Sequence, residues 1–287
     1  MAGYKQPNCS QSKCRGWCGI KKCFKRLFFI LFVIGFFLNG YKAIITIYDH
    51  SSGRETYDFV REKAYREWPV SESEKTSEEL KEQDVPEDNS GQKNVASYLP
   101  TIDENTLSSI NEEYAAWLLI PNTKVSYPVV YPDNNEAYLA ETFDGKKKSC
   151  GCLFFDAYKE PLSGRNTIIH GHNMKSGDMF GGLKKFLSKD YAEQHPFLYL
   201  HRRGKWTEYH LLSVYIVSND DNTPYETDFK NENEYKTYLK EIKSKNIFKT
   251  SAEIGDEDLL TLSTCHGKEE KLILQFVMEK KGAKIKR

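Results

Sequence analysis

The sequence predicts a mostly β fold, an antiparallel sheet or barrel, carried behind an N-terminal membrane anchor. Three observations predict it. From about residue 99 onward, short apolar runs recur at 115–120, 125–130, 151–155, 166–169, 208–217, 259–263 and 272–278, separated by Gly, Asn, Asp and Pro. Runs of this length between turn formers are strand signals. Only two helical stretches interrupt them, 179–187 and 232–245, and many strands with few helices favour a sheet or barrel. Near the N-terminus a basic cluster precedes a long apolar run, the pattern of a single span.

The N-terminal elements follow in order. Residues 1–26 carry Lys5, Lys13, Arg15, Lys21, Lys22, Lys25 and Arg26, and no acidic residue occurs before Asp49. Residues 27–48, as a helix, would be about 33 Å long at ~1.5 Å per residue, enough to cross a hydrocarbon core. Lys42, near the outer end, can snorkel to the interface. The basic cluster before the span predicts a cytoplasmic N-terminus and an extracellular remainder, with membrane lipid as a partner. A cleaved signal peptide is the competing expectation, against which stands the lack of a small-residue cleavage site. Over residues 49–80, Tyr57, Val60, Ala64 and Trp68 stand at helical spacing, which predicts a membrane-proximal helix ended by Pro69. Residues 81–99 are rich in Glu, Asp, Asn, Gln and Ser and read as a linker. The division is therefore a basic tail over 1–26, an anchor over 27–48, a helix and linker over 49–98, and a folded domain over 99–287.

Charge and cysteine usage narrow the function. With 41 basic and 41 acidic residues the net charge is zero, so no nucleic-acid footprint and no nucleic-acid partner is expected. Seven cysteines are present. Cys9, Cys14, Cys18 and Cys23 precede the span; their spacing fits no zinc pattern, and they read as reduced cytosolic thiols, with acylation or weak metal binding as sharper alternatives. Cys150 and Cys152 flank Gly151 and share one strand face, as small packing residues do. Only Cys265 stands in a catalytic context.

That context is Asp258-Leu259-Leu260-Thr261-Leu262-Ser263-Thr264-Cys265, an apolar run that delivers a thiol at its C-terminal end. A second strand-like run, Asn166-Thr167-Ile168-Ile169, leads into His170-Gly171-His172. A thiol and an imidazole are the minimal parts of a cysteine nucleophile with an acid/base partner. The third requirement is a donor for the oxyanion. If the strands either side of His266–Glu270 are neighbours, Lys271 lies near the sulfur; the backbone N–H groups after His172 or at Cys265 are further candidates.

Several motifs together resemble the sortases, and class B in particular. Thr261-Leu262-Ser263-Thr264-Cys265 is similar to the signature around the family's nucleophile. The run from Asn166 through His172-Asn173-Met174, followed by Met179-Phe180, is similar to the class B segment around the catalytic histidine. Ala116-Trp117-Leu118-Leu119-Ile120-Pro121-Asn122-Thr123, Tyr127-Pro128-Val129-Val130, Asn135 to Leu139 and Phe143-Asp144-Gly145 add to it, as does the helix at 232–245, which resembles the class B insertion before the nucleophile strand. The resemblance covers about 102–278. It implies an eight-stranded sortase-type β-barrel with short helices and an N-terminal anchor. It also implies a cysteine transpeptidase at a bacterial surface: Cys265 as nucleophile, His172 as general acid/base, and cleavage of an Asn-Pro-x-Thr-like signal after Thr through an acyl-enzyme. The implied partners are proteins bearing the signal and a peptidoglycan cross-bridge amine. A pilin lysine is the alternative acceptor, since some class B members polymerise pilins. No cofactor and no metal is expected.

The sequence departs from the family at the third catalytic position. The family has arginine at the start of the last strand, whereas this chain has Lys271 after a short loop. Lysine offers one compact ammonium where arginine offers a planar fork, so a sortase-like binding protein with weak turnover is a further alternative. Arg202 or Arg203 could supply the missing guanidinium. His170 is the rival of His172, but the family's histidine follows the glycine. His266 reads as an exposed loop residue, Leu262, Ser263 and Thr264 as substrate-contacting residues, and 220–225 as an acidic loop that could line the groove.

Overall fold

The computed structural model describes residues 12–65, 99–250 and 257–278, with side chains from residue 28 onward apart from His50. The expected linker, Trp68 and Pro69, and the side chains of the four N-terminal cysteines lie outside the described residues. The chain divides into two units, Met1–Ser51 and Ser52–Arg287.

In the first unit the apolar run lies within helix α1 (Ser12–Ala64). Its side chains between Phe28 and Tyr48 are almost all exposed. This helix is long and apolar enough to cross a membrane, and none of its apolar window is buried in the protein. Such a helix fits a membrane anchor, because apolar side chains that find no protein partner need another apolar medium.

The second unit takes in the last turns of α1. The expected membrane-proximal helix is this C-terminal part of α1: Tyr57, Val60 and Ala64, at helical spacing, are buried in the core of the domain. Tyr57 packs edge-on against Tyr127, with centroids 5.2 Å apart, and donates its hydroxyl to the Gly151 carbonyl. The short helix α2 (Glu104–Ile110) follows, capped by Asp103, whose side chain accepts from the Thr106 N–H at 3.1 Å.

Eight strands close into a barrel: β1 (Tyr114–Leu119), β2 (Ser126–Val130), β3 (Leu153–Phe155), β4 (Asn166–His170), β5 (Phe197–Arg202), β6 (Lys205–Ser218), β7 (Leu259–His266) and β8 (Glu270–Met278). Their order around it is β1-β2-β3-β4-β7-β8-β6-β5. Seven strands fall on the expected apolar runs. The eighth, β5, was not expected. Its residues pair with β6 through a tight hairpin in which Arg203 (φ 51°) and Gly204 (φ 72°) take the left-handed backbone that such two-residue turns require. The turn reads Arg-Arg-Gly-Lys, without the Asn-Gly signal that marks a hairpin in sequence. The barrel is not wholly antiparallel either: β2 and β3, and β4 and β7, pair in parallel, because the long segments between them can return the chain to the same end.

The two expected helical stretches fare differently. After the short helix α3 (Lys189–Gln194), residues 232–245 form helix α4 (Glu232–Lys245), N-capped by Asn231 on the Glu234 N–H at 3.0 Å. Its buried stripe of Tyr235, Tyr238, Leu239 and Ile242 covers the outer face of β6, β7 and β8, where Leu212, Tyr215, Leu259, Ile273 and Val277 complete a second core cluster. Residues 179–187, by contrast, form only a 3-10 turn over Gly181–Leu187. Met179 sits at φ 51°, outside helical space, and a Cβ at Gly181 would collide with the Met174 carbonyl, so the backbone is packed too closely there for a full α-helix.

Candidate active site

The parallel pairing of β4 with β7 brings the two catalytic-looking runs together. His170 lies opposite Ser263 in that register, so both strands end at the same rim of the barrel. Beyond the last pair the chains remain tied. The Gly171 N–H donates to the Ser263 carbonyl at 3.2 Å. The Thr264 hydroxyl donates to the Gly171 carbonyl at 2.7 Å. The Asn173 side-chain amide donates to the Cys265 carbonyl at 2.7 Å. His172 therefore sits between two residues that are each bonded to the end of β7.

Its imidazole is fixed from the other side. His172 Nε2 lies 2.6 Å from the Leu139 carbonyl. A carbonyl only accepts, so Nε2 carries the proton and Nδ1 is the nitrogen left to exchange one. Gly151 packs against the ring: a Cβ there would come 3.0 Å from His172 Cδ2 and collide with the Tyr138 carbonyl. Gly171 allows the same closeness at the strand end, where a Cβ would come within 2.7 Å of the Phe180 ring.

Cys265 is exposed, unlike Cys150 and Cys152, which are buried. Burial pushes the Cys152 thiol up to about 12, so that thiol is a packing group. The alternation of β7 explains the exposure of Cys265. Leu260 and Leu262 point into the barrel core, while Thr261, Ser263 and Cys265 share the opposite face, and Cys265 lies past the end of the cover on that face. Leu262 is fully buried, and Ser263 and Thr264 are nearly so. Ser263 bonds the Tyr225 hydroxyl at 2.8 Å, and Thr264 holds the His172 loop.

Lys271 stands directly opposite Cys265 in the β7–β8 register, so the two side chains leave the same face. His266, expected in a loop, is the last residue of β7 and pairs with Glu270; the connection is the short turn after it, with Gly267 at φ 74°. Arg202 and Arg203 lie at the other end of the sheet: Arg202 pairs with Lys205 at the start of β6, whereas Lys271 pairs with Val217 near its end. Arg202 also donates to the Pro161 carbonyl at 2.9 Å. Neither guanidinium is at the rim that carries Cys265.

Sequence reasoning did not single out the supporting residues. Asn173 was visible only as the neighbour of His172. Tyr225 lay inside the 220–225 loop, where Asp221 is engaged by Lys245 at 2.7 Å. His170 bonds Asp156 at 3.1 Å and stacks on Tyr225 at 5.9 Å and 28°. The Asp156 carboxyl is penalised by burial, but hydrogen bonds from His170, the Tyr158 N–H and Asn135 outweigh this and hold it below its ordinary range. A buried polar chain runs behind the site. Asn166 accepts from the Thr261 hydroxyl at 2.7 Å and donates to the Pro224 and Glu226 carbonyls, each at 3.0 Å. Gln275 donates to the Thr261 and Tyr238 oxygens at 3.1 and 3.0 Å. Among the described residues no cluster of three or more His, Cys, Asp or Glu side chains could hold a metal ion.

A closed eight-stranded barrel with a cysteine near the end of β7 and a histidine just beyond the parallel strand β4 defines the class of protein to which the chain is similar. Residues 118–277 match the Sortase domain family, and the chain belongs to the sortase family, class B. Sortase B of Listeria monocytogenes is 32% identical over 162 residues, which cover 55% of this chain and 65% of that protein; the matched stretch thus spans just under two thirds of that relative. The crystal structure of sortase B from Bacillus anthracis in complex with AAEK1 is similar with a TM-score of 0.64 at 25% identity, covering 82% of this chain and all of that one. A Staphylococcus aureus sortase B–substrate complex is similar with a TM-score of 0.59 at 25% identity, over 62% of this chain and 85% of that one.

Proposed function

We propose that this protein is a membrane-anchored cysteine transpeptidase that joins signal-bearing surface proteins to an amine outside the cell. The observation that carries this is the rim itself. An exposed thiol stands on β7, the His172 loop is bonded to that strand end by Gly171, Thr264 and Asn173, and Lys271 on β8 is the residue paired with Cys265.

The chemistry follows from these groups. His172 Nδ1 takes the proton of the Cys265 thiol, and the thiolate adds to the threonine carbonyl carbon of an Asn-Pro-x-Thr-like signal. The negative oxygen that develops is met by the Lys271 ammonium and by backbone N–H groups at the rim. The C–N bond then breaks, and His172 gives its proton to the leaving amine, which leaves a thioester on Cys265. An incoming amine adds to the thioester and returns a proton to His172. The thiolate departs and a new amide remains. A wall cross-bridge and a pilin lysine are chemically equivalent acceptors in this scheme. The basic residues before the anchor support a cytoplasmic N-terminus and an extracellular barrel.

The test is mass spectrometry of the full chain in detergent after incubation with an Asn-Pro-x-Thr peptide library. The expected result is an acyl adduct on Cys265, absent in Cys265→Ala and strongly diminished in His172→Ala, that is discharged by an added cross-bridge peptide or a lysine-bearing pilin peptide. Absence of any adduct on the wild type across the library sinks the proposal.

A further inference from the structure

Lysine at position 271 raises a physical problem. Arginine's fork is rigid and sets its own donors, whereas a lysine ammonium ends a flexible stem that carries about 2 kcal/mol of rotamer entropy. Unless something seats it, the charge wanders among rotamers and little of it is at the oxyanion when needed. The structure contains a seat. Lys271 Nζ lies 4.9 Å from the centroid of the Tyr225 ring, inside the ~6 Å range in which a ring face attracts a cation.

The seat is itself built. The Tyr225 hydroxyl is bonded to Ser263, two residues before the nucleophile. His170 stacks on its ring and is in turn held by Asp156. The carbonyls on both sides of Tyr225, those of Pro224 and Glu226, accept from the buried Asn166 amide. The Asn166 amide, which also reaches the Tyr238 hydroxyl at 3.3 Å, thus holds the loop on both sides of the residue whose ring meets the lysine. Its own oxygen is fixed by Thr261 on β7, the strand that carries Cys265.

We infer that Tyr225 is a positioning residue for catalysis, whose clamped ring seats the Lys271 ammonium beside the Cys265 thiol and so lets lysine serve where the family has arginine. This rests on the transpeptidase proposal above and names the part that adapts it to this chain.

The test is a double-mutant cycle on acylation by the Asn-Pro-x-Thr library, in the full chain in detergent. Tyr225→Leu, which removes the ring, is expected to lower kcat about 10-fold with KM changed less than about threefold. Tyr225→Phe keeps the ring, loses the Ser263 bond, and is expected to retain most of kcat. In a Lys271→Ala background, Tyr225→Leu is expected to cost less than about twofold more, since the seat has nothing left to hold. A second measurement needs no turnover. The Lys271 side-chain proton resonances should show an upfield ring-current shift that survives Tyr225→Phe and vanishes in Tyr225→Leu, at unchanged Tm. Losses that multiply in the Lys271→Ala background, or a Tyr225→Phe variant as slow as Tyr225→Leu, overturn the inference while leaving the transpeptidase proposal intact. A wild type that acylates with no peptide overturns both.

Discussion

The side-chain amide of Asn173 donates a 2.7 Å hydrogen bond to the Cys265 carbonyl, tying the loop that carries His172 to the strand end that carries the thiol. The bond joins residues 92 apart in the sequence. It is the outermost of three that knit the β4 and β7 ends together, and it holds the His172 loop against the strand end that carries Cys265.

Removing that tie should cost rate more than stability. Asn173→Ala is expected to lower kcat about 10-fold, since small misplacements of a catalytic group are felt strongly in rate, and to destabilise the fold by about 1 kcal/mol. Steady-state acylation kinetics beside thermal melts check it. Unchanged kcat would show that the loop needs no such tether.

Gly151 should tolerate no side chain. Its φ is 58°, and a Cβ would meet the Tyr138 carbonyl and the His172 ring. Gly151→Ala is expected to cost about 1–3 kcal/mol of stability and to disturb activity beyond that loss, because the imidazole that donates to Leu139 must move. Tm and kcat measured together, with the His172 ring resonances as a local probe, distinguish this from a purely global effect.

Asp156 should contribute stability with a defined pH dependence. Its folded-state value is depressed, so the folded state favours the carboxylate. That stabilisation is present in full above the unfolded value of about 3.9 and is lost as pH falls through the lower folded value. Asp156→Asn is expected to lower stability by about 2 kcal/mol near neutrality, and the gap to wild type should shrink as pH falls below about 4. Denaturant titrations at several pH values test it; a gap independent of pH would contradict the assignment.

Thiol reactivity should separate the three cysteines of the barrel unit. Cys265 is exposed and Cys150 and Cys152 are buried, and the Cys152 thiol is pushed up to about 12. Brief iodoacetamide treatment of the native protein is expected to modify Cys265 alone within residues 52–278, and all three after denaturation. Peptide mapping reads the sites directly. Native modification of Cys152 would mean that the β3 end opens readily.

The periodicity of single segments made most of the strands legible. β7 and β8 are short apolar runs bounded by polar turn formers, α4 shows an i, i+3, i+4, i+7 stripe with a capping Asn231, and these patterns are properties of local sequence. β5 escaped because its hairpin carries charged residues in place of a turn signal. The helix expected at 179–187 failed because a close backbone approach to Met174, invisible in the sequence, overrides the local pattern there. The candidate pair, Cys265 and His172, could be named from the sequence because its motifs are short and contiguous.

By itself, then, the sequence determined the chemistry on offer: a thiol ending one strand, an imidazole following another, a lysine where arginine is usual, and an apolar helix ahead of them. What each residue faces was decided only by the tertiary structure. Closure of the barrel puts β4 beside β7, so that Asn173 reaches Cys265, and it brings the 220–225 loop over β8, so that the Tyr225 ring lies beneath Lys271. These relationships join residues tens of positions apart. Their energy exists only after the chain has closed the intervening loops, so no local pattern carries them.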